Sequence, residues 1–288
     1  MKEQSKRHHY IPKFLSKNFS DENNMLWVYN KESKRIISKM QSPKAIFFED
    51  GRNLFDINGN KGDNIERMYE EVDTLLSKTL TKILKSQQMS GRELTWMIYL
   101  ANLTKWRVPK VDDIAKNLVK DIPIEQLGLA IRPIDSSKEI TQEVINNLNK
   151  KEIIQETKRI LLSIQPISNE ESLDEIHKNC FITFYDKFPS LIGDCPIIEE
   201  DNLNYKTMGN FIFPLSDSAT LVCKKDAKKE IKSELFYIWK DLNIFHLSQK
   251  YVACKSRDQL EKMEKLYKIM VEKGDLHFLQ KAVFDQIV

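Results

Sequence analysis

The stretch Lys6-Arg7-His8-His9-Tyr10-Ile11-Pro12 sets two imidazoles beside two fixed cations, with Phe14, Leu15 and Phe19 following at apolar positions. Imidazole titrates nearest neutrality of all side chains, so His8 or His9 could act as general acid or base, while Lys6 and Arg7 could hold an anion. Adjacent residues point in different directions on a strand or a helix, so one site would not use both imidazoles equally. The same residues could instead cap or staple the segment that packs through Phe14, Leu15 and Phe19.

Three further groups join them as candidates. Glu66 and Asp73 lie seven residues apart, about 20° from eclipsed on a helix, and Glu70 falls between them on the same face. Oxygen ligands so placed could hold a divalent cation for phosphodiester hydrolysis, or they could be the solvated face of an amphipathic helix. Arg107 closes an apolar stretch just before Pro109. It could favour a helix dipole, pair with Glu66 or Asp73, or clamp a phosphate in bidentate fashion, but not all at once. Asp194 sits in Leu191-Ile-Gly-Asp-Cys-Pro, a carboxylate held between a glycine and a proline at the end of a short apolar strand. That layout suits a rigid active-site turn, and equally an Asx turn that bonds its own backbone. Cys195 beside it could be a nucleophile activated by His8 or His9, although no surrounding signature supports that role.

The elements that must position these groups follow from periodicity. Met25 to Ile37 reads as two strands around a polar turn at Asn30–Lys34, and the segment from Gly51 to Asp63 as a loop. From Asn64, apolar residues at Ile65, Met68, Val72, Leu75, Leu76, Leu80, Ile83 and Leu84 predict a long helix. A second helix is predicted from Ser90 to Trp106, with Ser90 and Glu93 forming a capping box and Pro109 ending it. The next segment, to Ile176, is helical and interrupted at Pro123, Pro133 and Pro166. Strands are expected near 180–185, 190–193, 210–215 and 219–223, then helices at 233–248 and 258–271. The expected fold is α+β in one compact domain over 1–288, with a helical subregion about 64–176 and a strand-rich one about 177–256; short antiparallel strands lie near the N-terminus and in the C-terminal third.

Composition narrows the function classes. With 288 residues, 41% hydrophobic and 30% charged, the chain can bury a sizeable core. Its 45 basic and 42 acidic residues nearly balance, so nucleic-acid binding would need a local patch. No apolar run reaches bilayer length, and the basic N-terminus has no apolar segment behind it to form a secretory signal. Cys180, Cys195, Cys223 and Cys254 contain no C-x-x-C pair, which predicts free thiols and a cytoplasmic, reducing compartment. Phosphate-binding loop, dinucleotide, nucleophile-elbow and zinc-protease motifs are absent.

The chain resembles the bacterial domain-of-unknown-function family DUF4238. The resemblance rests on His8-His9-Tyr10-Ile11-Pro12 with Phe14 and Phe19, Leu26-Trp-Val-Tyr, the acids Glu66 and Asp73, Arg107-Val-Pro109, the turn at Asp194, Phe213-Pro-Leu-Ser, Asn243 and Tyr251-Val252. Gly193 stands where the family pattern has Ser, and Asp73 where it has Glu. The resemblance implies that scattered His, acid, Arg and Asp residues belong to one recurring pattern and converge in space. On that expectation the preferred function is phosphodiester hydrolysis by a nuclease, of a kind associated with toxin or phage-defence effectors, acting on RNA or DNA. His8, His9, Arg107 and Asp194 would be catalytic, and Glu66, Asp73 and Asp194 would hold Mg²⁺ or Mn²⁺. In a metal-free variant the acids would only orient histidine and arginine. The competing expectation is a non-catalytic binding or sensing module in which the same residues form a buried structural network.

Overall fold

A computed structural model describes residues 7–57, 60–127, 132, 141–164, 170–200 and 209–288. Lys6, Gly59, Pro133 and Pro166 lie outside the described residues. The chain opens with strand β1 (Arg7–His9) and helix α1 (Lys13–Lys17), followed by β2 (Trp27–Asn30), β3 (Arg35–Ile36), β4 (Phe48–Asp50), β5 (Phe55–Ile57) and β6 (Asn60–Gly62). The helical middle holds α2 (Asn64–Ser86), α3 (Gly91–Arg107), α4 (Asp112–Val119), α5 (Gln142–Asn149), α6 (Glu152–Leu162) and α7 (Glu170–Asn179). The last third contains β7 (Cys180–Phe184), β8 (Ile192–Gly193), β9 (Ile198–Glu199), β10 (Phe211–Pro214), β11 (Ala219–Cys223), α8 (Leu235–Leu247), β12 (Tyr251–Cys254), α9 (Arg257–Lys273) and α10 (Leu279–Phe284). The architecture is α+β in one compact domain, as the pattern implies.

All the described strand pairs are antiparallel. One four-stranded sheet runs β3-β2-β12-β8 and so ties the N-terminal strands to the C-terminal third; a second runs β7-β11-β10-β9. The histidine pair is a strand, with His8 opposite Glu49 and His9 opposite Phe48 in β4. Pro12, with φ −52° and ψ 133°, ends that extended run and sits where a missing N–H costs nothing, so α1 starts at Lys13.

Helix α2 buries Ile65, Tyr69, Leu76, Leu80 and Ile83, while Met68 and Leu75 of the predicted stripe are exposed. Helix α3 begins at the expected capping box: Ser90 Oγ accepts from the Glu93 N–H at 3.3 Å and the Glu93 carboxylate accepts from the Ser90 N–H at 2.7 Å. From Met97 to Arg107 every residue of α3 is buried, so this helix is enclosed on all sides and places Arg107 in the interior.

Two expectations are corrected. The Gly51–Asp63 segment is more than a loop, because β5 and β6 pair within it. Cys180 and Cys223 are joined as a disulfide, because the register of β7 and β11 sets them opposite each other despite a sequence separation of 43. Cys195 and Cys254 are free. The inference to a reducing compartment rested on four free thiols and loses that ground. No helix among the described residues is long and apolar enough to cross a membrane.

Gly193, the departure from the family pattern, has a steric reason. A Cβ there would lie 1.9 Å from Ser248 Oγ and 3.1 Å from Ile244 Cγ2, closer than packed atoms tolerate. Gly193→Ser is therefore expected to lose about 1–3 kcal/mol in a denaturant titration, and adding Ser248→Gly should return part of it. A single variant as stable as the parent would contradict this packing.

Candidate functional site

The N-terminal histidines, helix α2 and the end of α3 converge in the interior. His8 is fully buried on β1, and its Nδ1 accepts a hydrogen bond from the backbone N–H of Asn53 at 2.7 Å. An accepting Nδ1 leaves the proton of the neutral ring on Nε2. The Asn53 side chain turns the other way and donates Nδ2 to Glu66 Oε2 at 2.7 Å. Asn53, itself buried, thus joins strand β1 to the first turn of α2 with two bonds from one residue.

Two helical turns further along α2, Asp73 takes Arg107. Arg107 Nη1 lies 3.1 and 3.0 Å from the two oxygens of Asp73, and the guanidinium stacks 4.0 Å from the centre of the Tyr69 ring. Of the alternatives open to Arg107, the pair with Asp73 is realised, and Glu66 contributes a more distant attraction. Burial raises the Asp73 carboxyl above its ordinary value, while Arg107 opposes the shift.

His9 faces a different environment from His8, as adjacent strand residues must. Its ring lies 5.6 Å from that of Phe48 and only 4% of the residue is exposed. Burial, then the positive charges of Lys13 and Arg107, push it down to about 4; the carbonyls of Lys44 and Pro43 pull the other way. Among the described residues neither ring nitrogen finds a hydrogen-bond partner, and the same holds for Arg107 Nε. His9 is thus a neutral imidazole enclosed beside two cations.

Asp194 is anchored elsewhere. Its carboxylate accepts from the backbone N–H groups of Gln249, Lys250 and Tyr251 at 2.8, 2.5 and 3.0 Å, fixing β8 to the chain that enters β12. It borders a small cavity of about 120 Å³ with Tyr10 and Glu49. Burial raises this carboxyl too, against the three amides. Glu66, Asp73 and Asp194 each have other partners, and the described residues contain no group of three His, Cys, Asp or Glu placed to hold a metal ion. Burial pushes the Cys195 thiol up to about 11, away from the thiolate that a nucleophile needs.

The network extends through residues that local pattern did not single out. Arg52 donates to Asp112 at 2.9 and 2.5 Å, to Glu49 at 2.6 Å and to the Arg107 carbonyl at 3.2 Å. Arg159 of α6 shares Asp112 at 2.7 Å, donates to the Trp106 carbonyl, and reaches the Val108 carbonyl at 3.3 Å. These arginines, with Asn53, line a cleft of about 480 Å³ that also holds Lys116, Glu152 and Glu156. Arg52 and Asn53 sit in a segment whose glycines mask any periodicity, and Arg159 is one charge among many on its helix. Arg52 meets Asp112 from 60 positions away, Arg159 meets the Val108 carbonyl from 51 and Asn53 meets His8 from 45, so spacing carries no signal for these contacts.

Residues 7–265 match the family model described as "Protein of unknown function (DUF4238)", and the chain belongs to that family. No curated protein and no solved structure matches it significantly.

The enclosed His9 makes stability depend on pH. Its pKa is lower in the folded chain than the ordinary 6.5 it has when unfolded, so the unfolded state binds more protons between the two values. Stability present above the unfolded value is therefore lost as pH falls toward about 4, by about 2 kcal/mol from this group. His9→Phe should flatten that slope relative to the parent when urea midpoints are compared from pH 7 to 4.5; parallel curves would show that His9 is not held neutral.

Proposed function

We propose that this member of the family is a non-catalytic binding or sensing module in which the His8–Asn53–Glu66 chain and the Arg107–Asp73 pair latch the N-terminal strand to the helical half. One observation carries the reading. The acids expected to do chemistry are engaged by the protein itself: Glu66 by Asn53, Asp73 by Arg107 and Asp194 by three amides. His8, His9, Arg107, Glu66 and Asp194 are each at most 6% exposed. A general acid, a metal ligand or a phosphate clamp needs a face open to substrate.

The cleft beside the latch is where a ligand would act. Asn53 belongs to both, so a molecule that moves Asn53 would be felt at His8 and at Glu66. Its cations Arg52, Lys116 and Arg159 are offset by Asp112, Glu152 and Glu156. That balance favours a small ligand of mixed polarity over a nucleic-acid backbone, whose affinity comes from uncompensated Lys and Arg.

Phosphodiester hydrolysis by a nuclease is the second reading, and a specific observation favours it. His9 and Arg107 Nε hold buried nitrogens without a hydrogen-bond partner, groups that a phosphate oxygen would satisfy.

One experiment separates the two. The purified chain is incubated with labelled RNA and with single- and double-stranded DNA, in Mg²⁺, in Mn²⁺ and in chelator, beside His8→Ala, His9→Ala and Arg107→Ala. The latch reading expects no cleavage above background in any lane, and a stability loss of about 3 kcal/mol for Arg107→Ala, which strands the Asp73 carboxylate. Cleavage that vanishes in a folded His8→Ala or His9→Ala variant would overturn it in favour of the nuclease, with the chelator lane deciding whether a metal takes part.

A further inference from the structure

A second cavity, of about 340 Å³, lies away from the latch, where the end of α3 meets the strand-rich third. Val108, Val111, Ile197 and Leu247 give it largely apolar walls, and a volume of this size suits a small organic ligand. Its charged groups are few and distinct. Lys105 and Glu199 form an ion pair at 2.6 Å with side chains 6% and 11% exposed, so their charges cancel within the wall.

Lys110 is different. It lies on the single 3-10 turn Pro109–Val111 and is half-buried at the cavity edge. Its ammonium donates to the Leu247 carbonyl at 3.2 Å and meets the Cys195 thiol, and it pairs with no carboxylate among the described residues. On its other side, the small cavity holds Glu49 and Asp194, but Glu49 pairs with Arg52, and Asp194, held by three backbone amides, answers to the charge of Lys31. The carbonyl at the C-terminus of α8 offsets part of the charge. One ammonium facing an apolar space still leaves the cavity with a net positive charge.

We infer that this cavity binds a small hydrophobic monocarboxylate, its carboxylate on Lys110 and its apolar body between Val108, Val111, Ile197 and Leu247. The carboxylate supplies the counter-charge that Lys110 lacks, and the walls desolvate the rest of the molecule. The site shares no lining residue with the polar cleft and holds no member of the latch, so it stands or falls separately from them.

The test uses 3-phenylpropionate and hexanoate as probes, titrated calorimetrically into the full-length chain, with the corresponding primary amides as uncharged counterparts. Saturable one-to-one binding of the acids is expected, with the amides weaker by about tenfold or more. Lys110→Met should erase the difference between acid and amide, Lys110→Arg should keep it, and Ile197→Trp should block both, each variant being checked for an unchanged melting transition. Equal binding of acid and amide, undiminished acid binding in Lys110→Met, or no binding of either acid up to about 10 mM, the weak end of measurable affinity, would overturn the inference.

Discussion

Arg107 ends a helix that is buried on every face in its last three turns, so a permanent guanidinium charge must be matched inside the protein. That constraint organises the helical half. Asp73 supplies the counter-charge from α2 and Tyr69 the aromatic face. The carbonyls that α3 leaves open at its end are taken by other arginines: Trp106 and Val108 by Arg159, Arg107 by Arg52. Both of those guanidiniums then share Asp112 at the start of α4. Three helices, α2, α4 and α6, and the segment after β4 are thereby fixed to the terminus of α3. A buried pair adds little net stability over apolar packing, but it makes the loss of either partner costly.

The histidines enter this arrangement from the opposite direction. Strand pairing with β4 turns His8 and His9 to different surroundings, so one is satisfied by Asn53 and the other is enclosed beside Lys13 and Arg107. The two imidazoles that look equivalent in the chain are chemically unlike in the fold. His8 has a fixed tautomer and an acceptor role, whereas His9 is kept neutral by desolvation and by like charge. Both are buried, without the open face that proton transfer to a substrate requires.

The molecule's cavities lie at seams rather than within elements. The polar cleft opens between the β4–β5 segment and helices α4 and α6, and the apolar one between the α3 terminus and the strand-rich third. The end of α3 and the turn that follows it border the apolar cavity, and α4, which starts directly after that turn, borders the polar cleft. The charged groups that border these cavities lie one layer out from the candidate catalytic residues, at Arg52 and Arg159 on one side and Lys110 on the other.

Much of the local structure was legible in the sequence. The apolar spacing of α2, the Ser90–Glu93 capping box, Pro109 as a terminator and the strands around Asn30–Lys34 are short-range effects, set by side chains within a few positions of each other. The family pattern also pointed correctly to His8, His9, Glu66, Asp73 and Arg107 as neighbours. It could not distinguish a ligand set from a set of internal partners, because that depends on what else reaches each carboxylate. Asn53 reaches Glu66, three amides near Gln249 reach Asp194, and Arg52 reaches Asp112 from 60 positions away. The disulfide between Cys180 and Cys223 likewise follows from strand register and not from spacing. The sequence by itself determined the elements and the charges they carry. Tertiary structure alone decided which charges were paired and which stayed exposed, because burial and hydrogen bonding depend on residues brought together across the whole chain.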